Sequence, residues 1–347
     1  MTVSCRAFLL AFTAASSMLA SAASAAPAPA ASPAAAKPHE GALGLSIDTE
    51  AADASVQLKA LQQEVFAEEN LMALVAFRQE YGERITAQRV NIPTVGAGYE
   101  PAYVFRPKNH PGGKLPGLVV VHGSYHGSFG PDIFPLIARA ASEGYCVIFP
   151  EYRGSRGYGQ EHYDAIDFGG KEVDDVVAAA DYLAERGLSP ADRTAIYGRS
   201  KGGMVALLAI ERFPKRFKAA VDVVGITDMV AYMAYKPGFR GADVAKQPMF
   251  HGKTIAQDAG PYIEVSPLNH VKDIETPLLV EATTGDKTAP VQLHGGRLIE
   301  LLRAYGKPFE SKVYDLAPGG HVFSEVDSVQ ARESEDRVFD FLKRHMN

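Results

Sequence analysis

Ser200, Asp286 and His321, in that order along the chain, are the residue types that covalent acyl transfer requires. Ser200 lies in Gly198-Arg-Ser-Lys-Gly202. A serine hydroxyl is a weak nucleophile until a neighbouring base takes its proton. A histidine can do this near neutral pH, and a carboxylate behind it fixes the tautomer and stabilises the imidazolium. Each residue also has a plainer reading taken alone. Asp286 follows Gly285 and fits a turn or cap, and His321 follows Gly319-Gly320 and fits a surface loop. Their placement relative to the surrounding elements favours chemistry.

A short apolar strand at 195–197 runs into Gly198, and an apolar helix at 204–210 leaves from the other side. A strand that turns at once into a helix needs small residues two before and two after the serine, and Gly198 and Gly202 stand there. The turn would expose the hydroxyl and aim the backbone N–H of Lys201 at a developing oxyanion. Further strands are expected at 118–121, 145–150, 219–226, 277–282 and 309–316. Helices alternate with them, marked for instance by Phe134, Ile137, Ala138 and Ala141. Two strands at 89–93 and 101–105 read as an antiparallel opening hairpin. The pattern predicts an α/β-hydrolase architecture: a doubly wound, mostly parallel sheet with helices on both faces. Ligand sites of such sheets lie at the carboxyl ends of the strands, and Ser200, Asp286 and His321 each follow a strand. The stretch 228–267, rich in Gly, Pro, Tyr and Met, breaks the alternation and reads as a small cap over the site.

The remaining sequence sets the context. Arg6, the apolar run 7–20 and the small-x-small sequence Ala23-Ser-Ala25 form a signal peptide over 1–25, so the chain is expected to be exported to periplasm or medium. Residues 26–45 are an Ala/Pro-rich disordered linker. Residues 46–86 form a helical extension, with Leu58, Leu61 and Val65 at helical spacing, expected to pack on the catalytic domain at 87–347. The 347 residues carry a formal charge of −6 with dispersed cations, which excludes a nucleic-acid surface. No membrane span is expected in the mature chain. Removal of Cys5 with the leader leaves Cys146 unpaired in an apolar strand, as a small buried hydrophobe. His122 and His126 are one helical turn apart, but in a Gly-rich loop with no third ligand, so no metal and no cofactor is expected. The composition leaves the oligomeric state open.

Several motifs together resemble the catalytic domain of the prolyl oligopeptidase family of serine peptidases, from about Arg89 to the C-terminus. They are Glu151-Tyr-Arg-Gly-Ser-Arg-Gly-Tyr-Gly159, Asp167-Phe-Gly-Gly170, Gly198-Arg-Ser-Lys-Gly-Gly203, Phe217-Lys-Ala-Ala-Val221, Ser266-Pro-Leu268 and Thr276-Pro-Leu-Leu279. The resemblance implies Ser200 as nucleophile, Asp286 as orienting acid and His321 as base. It places the oxyanion hole at the N–H of Lys201 and an N–H of Gly123 or Ser124, in the segment His122-Gly-Ser124 where relatives carry His-Gly-Gly. His122 itself would orient this loop. Tyr125 would line the substrate site, and Met229 and Tyr232 fall where relatives place aromatic walls of the specificity pocket. The chain also departs from the pattern. Ala289 replaces a valine three residues after Asp286, and Met229 replaces an aromatic. The helical stretch before the domain is too short for the β-propeller of larger relatives, so the anchor for a peptide amino terminus is expected to be absent.

These observations lead to an exported serine hydrolase cleaving short peptides or aminoacyl amides through an acyl-enzyme. The alternative is a carboxylesterase on the same machinery, since esters need little leaving-group protonation. The Lys201 side chain is expected either to sit beside the nucleophile as a free cation, disfavouring protonation of His321, or to be solvated.

Overall fold

The structure is a computed structural model that describes residues 39–40, 46–47, 54–94, 96, 98–110, 112–235 and 244–346. The signal peptide, most of the linker and the centre of the cap fall outside these residues. His39–Glu40, within the stretch read as linker, pairs antiparallel with Ser46–Ile47, at the start of the stretch read as the helical extension.

Eight strands form one sheet: β1 (Ile85–Thr94), β2 (Gly98–Pro107), β3 (Gly117–Val121), β4 (Cys146–Pro150), β5 (Thr194–Arg199), β6 (Ala219–Val223), β7 (Leu278–Thr283) and β8 (Phe309–Tyr314). Their order across the sheet is β8-β7-β6-β5-β3-β4-β2-β1. β1 pairs antiparallel with β2 and β2 antiparallel with β4, while all other pairings are parallel. This is the α/β-hydrolase arrangement expected from the alternation. The strand that opens the sheet begins at Ile85, inside the stretch read as the helical extension.

Alternate residues of the central strands feed two cores, as the period of a strand requires. Val119, Val121, Ile196 and Val280 pack against helices Lys171–Glu185, Lys201–Arg212 and Gly295–Ala304. Leu118, Val120, Ala195 and Leu279 pack against helices Phe134–Ser142 and Val329–Met346 and the long N-terminal helix Ala54–Tyr81. Cys146 is free and buried in β4, and burial pushes its thiol up to about 12, so it behaves as a small hydrophobe. No described helix is long and apolar enough to cross a membrane.

Two expectations change. The helix Ala54–Tyr81 does pack on the sheet, but through the face opposite to its aliphatic stripe. It buries Gln63, Asn70, Leu74 and Phe77 and leaves Leu58, Leu61 and Val65 in solvent. Phe77 drives this choice by entering an aromatic cluster with Phe105, Phe129 and Phe134. Asn70 adds a hydrogen bond to the Arg156 carbonyl, and Gln63 accepts one from the Gly157 N–H. The described parts of the segment 228–267 also belong to the core. Met229, Met233, Phe250, Tyr262 and Val265 are buried in the cluster that holds Met204 and Leu208.

Candidate active site

Backbone sterics shape the turn around Ser200. A Cβ on Gly198 would lie 2.1 Å from the Gly202 carbonyl oxygen, and one on Gly202 would lie 2.3 Å from that of Val121. Only glycine fits either place. Ser200 itself adopts φ 58° and ψ −123°, a conformation uncommon for a residue with a side chain, and stands just before helix Lys201–Arg212 without a side-chain capping bond. Its N–H is held by the Val223 carbonyl at 3.0 Å, and its carbonyl accepts from Ile226 N–H at 3.3 Å. The following strand ends at Val223 rather than 226 because Val224 turns to φ 49° at that contact.

The ends of β7 and β8 bring the other two residues to the serine. His321 Nε2 lies 2.8 Å from Ser200 Oγ, and His321 Nδ1 lies 2.7 Å from Asp286 Oδ2. The second oxygen of Asp286 accepts from Thr288 N–H at 2.7 Å and Ala289 N–H at 2.9 Å. These bonds hold the carboxylate in place beside the imidazole. They use only the backbone of residue 289, so alanine serves there as well as valine. The two loops are pressed together: Gly320, at φ 55°, would carry a Cβ only 2.8 Å from the Gly285 carbonyl oxygen. With Nδ1–H donating to Asp286, Nε2 is left to accept the Ser200 proton.

On the other side of Ser200 lies the loop 122–127. A Cβ on Gly123 would sit 3.0 Å from the Arg199 carbonyl oxygen and 3.3 Å from Ser200 Cβ, so this backbone runs directly against Ser200. Ser124 follows at φ 66°. His122 ties the loop down. Its ring stacks on Tyr152 at 4.0 Å, its Nδ1 meets the Gly123 carbonyl at 2.9 Å and its Nε2 meets Ser155 Oγ at 2.8 Å. The Tyr152 hydroxyl donates to the His122 carbonyl at 2.9 Å. Burial pushes the His122 pKa down to about 3, so the ring is neutral and structural. His126 turns to the Gly154 carbonyl, 2.7 Å from its Nδ1, and stacks on Tyr163 at 3.6 Å. The two histidines therefore do not converge on a common point, and among the described residues no group of three His, Cys, Asp or Glu could hold a metal.

Lys201 is neither a free cation nor solvated. Its side chain is buried, with Nζ 2.5 Å from Glu172 Oε1 and 5.2 Å from the ring centres of Tyr152 and Phe168. Glu172 also accepts from the Gly169 N–H. The charge is thus neutralised beneath the site. At the first helical position the Lys201 N–H has no intrahelical acceptor and remains available. Glu172 went unnoticed in the sequence. The signal was a lysine next to a buried serine turn, which must find an anion, together with a glutamate just after Asp167-Phe-Gly-Gly170. Arg199 was also missed. It pairs with Glu325 beyond His321 and with Asp132 at 3.4 Å, bridging both sides of Ser200.

The proposed substrate residues divide. Tyr232 packs edge-on to His294 at 6.1 Å, and its hydroxyl lies 3.4 Å from that of Tyr125. Tyr125 also packs on Phe168 at 4.7 Å. Met229 is fully buried, with its N–H bonded to Ser266 Oγ at 2.8 Å, and presents no open wall. Its side chain belongs to the same buried cluster as Tyr232.

The model of the prolyl oligopeptidase family, Peptidase_S9, matches residues 133–347. The chain belongs to this family. It is 28% identical over 220 residues to the acylamino-acid-releasing enzyme of Arabidopsis thaliana, covering 60% of this chain and 28% of that protein. It is 30% identical over 217 residues to the uncharacterized peptidase YuxL of Bacillus subtilis (strain 168), covering 59% and 32% respectively. The chain therefore spans less than a third of the length of these relatives. The acylaminoacyl peptidase of Pyrococcus horikoshii superposes with a TM-score of 0.64 at 20% identity, over 78% of this chain and 43% of that one, and shares the fold.

Proposed function

We propose that this chain is a serine hydrolase that cleaves short peptides or aminoacyl amides through an acyl-enzyme. The observation that carries the reading is the 2.8 Å approach of His321 Nε2 to Ser200 Oγ, with Asp286 behind the imidazole. Ser200 Oγ attacks the scissile carbonyl carbon as its proton passes to His321 Nε2. The carbonyl oxygen becomes an oxyanion facing the N–H of Lys201 and an N–H of Gly123 or Ser124. Collapse of the intermediate breaks the C–N bond, and His321 returns the proton to the departing amine. Water then attacks the ester carbon, giving its proton to His321, and Ser200 leaves as the free hydroxyl. The relatives named for releasing acylamino acids make N-acylated aminoacyl amides the first substrates to try.

The test compares the wild type with Ser200→Ala on p-nitrophenyl acyl esters and on a panel of free and N-acylated aminoacyl and peptidyl anilides. Anilide turnover that disappears in the variant is expected. Turnover of esters with none of anilides would replace the peptidase reading by a carboxylesterase. The leader Arg6 to Ala25 supports export. Protein recovered outside the cytoplasm should begin at Ala26, and intact Met1 on protein confined to the cytoplasm would refute it.

A further inference from the structure

Two separate pieces of chain serve Ser200, and one side chain touches both. The loop 122–127 lies on one side of the serine, while His321 stands on the 3-10 turn Gly320–Glu325. Arg199 directly precedes Ser200 at the end of β5. Its backbone abuts the loop, where a Cβ on Gly123 would meet the Arg199 carbonyl oxygen at 3.0 Å. Its side chain lines a small cavity with His122, Gly123, Ser128, Asp132 and Ile133, and so runs beside the same loop. At the tip the guanidinium meets two carboxylates. Nη2 lies 3.4 Å from Asp132 Oδ2, in the segment that leads from the loop into helix Phe134–Ser142. Nη1 pairs with Glu325, the last residue of the turn that carries His321. The side chains of Arg199 and Glu325 are 16% and 23% exposed, so water and salt screen this pair only in part.

We propose that, given the roles proposed for Ser200 and His321, Arg199 is a positioning residue that sets the spacing between the oxyanion loop and the turn bearing His321. Asp286 ties His321 to the loop after β7, which does not fix its distance from the loop on the far side of Ser200. Acyl transfer needs both distances at once. The carbonyl oxygen must reach its N–H donors while the carbon meets Ser200 Oγ and the proton passes to His321 Nε2. A misplacement of about 1 Å costs on the order of 10²-fold in rate. Arginine suits this task, because its planar fork offers five donors in fixed geometry and keeps its charge. It can therefore hold carboxylates from two separate segments at a set spacing. A lysine carries a compact charge on a flexible stem and sets no such spacing.

Labelling of Ser200 by a fluorophosphonate tests the assignment, because it reads activation of the hydroxyl without requiring an amide substrate. The maximal labelling rate and the half-saturating probe concentration are measured on the full chain, with thermal melting of each variant alongside. Arg199→Met should lower the maximal rate by about 10²-fold and leave the half-saturating concentration unchanged. Arg199→Lys keeps the charge and should recover part of that rate, remaining about tenfold below the wild type. Glu325→Gln should label about tenfold more slowly, and adding it to Arg199→Met should cost nothing further, because both act through one contact. Arg344→Met breaks a 2.7 Å ion pair with Glu310, at the opposite end of β8 from His321, and should label like the wild type. If Arg199→Met fails to fold, Glu325→Gln and Arg199→Lys decide. An unchanged maximal rate in Glu325→Gln or in folded Arg199→Met would overturn the assignment. So would a loss confined to the half-saturating concentration, additive losses in the double variant, or an equal loss in Arg344→Met. A wild type that takes up no probe would instead refute Ser200 as nucleophile, and the role of Arg199 with it.

Discussion

Two histidines flank Ser200, and their surroundings give them opposite characters. His321 is held on one side only, by Asp286, and turns its free nitrogen to the serine. It stands on a 3-10 turn at the end of β8, where solvent reaches it. His122 is enclosed, bonded through both nitrogens and stacked on a tyrosine, with its pKa pushed down to about 3 by burial. The first can accept and return a proton. The second can only hold a backbone in place. A residue's distance from Ser200 does not assign its role; the number of partners and access to water do.

Asp286→Asn keeps the shape but removes the acceptor that sets the His321 tautomer. It should lower kcat by about 10⁴ with little change in KM, as loss of the orienting acid does in other serine triads. On the buried side, Glu172→Gln strands the Lys201 ammonium and should destabilise the fold by about 3 kcal/mol in urea titrations. Replacing both partners, Glu172→Gln with Lys201→Met, should recover most of that loss, because no buried charge is then left unpaired. Ser155→Ala removes the partner of His122 Nε2 and loosens the loop. It should lower kcat roughly tenfold, less than the ~10² that follows outright loss of an oxyanion donor.

The smallest effect concerns Asp222, buried behind the serine turn against Gly203 and Gly225. Burial pushes its pKa up to about 8, so the folded state holds a proton that the unfolded chain releases near pH 4. The folded-state pKa is raised, so this contribution is present below pH 4 and is lost as pH rises from about 4 to 8. Asp222→Asn should flatten the decline of Tm across that window relative to the wild type. An unchanged slope would remove Asp222 from the account.

Much of this was legible in the sequence for a physical reason. Parallel strands buried on both faces read as continuous apolar runs, and the glycines at 198 and 202 announce a backbone contact that no side chain survives. Ser200, Asp286 and His321 could be selected because each follows such a strand. What stayed hidden depended on packing direction or on partners distant in sequence. The aliphatic stripe of the N-terminal helix implied a buried face, yet one phenylalanine and two polar contacts turned it outward. Lys201 looked like a surface cation because its counter-ion is supplied by a different helix. Met229 aligned with a pocket wall, and only its burial reveals a core residue.

Labelling by a fluorophosphonate probe, followed by peptide mapping, tests Ser200 as nucleophile and His321 as its base. The wild type should carry the probe on Ser200 alone, Ser200→Ala should carry none, and His321→Ala should label at least 10²-fold more slowly while His122→Asn retains a measurable rate. A probe found on another residue, or a rate unchanged in His321→Ala, would contradict the assignment of nucleophile and base.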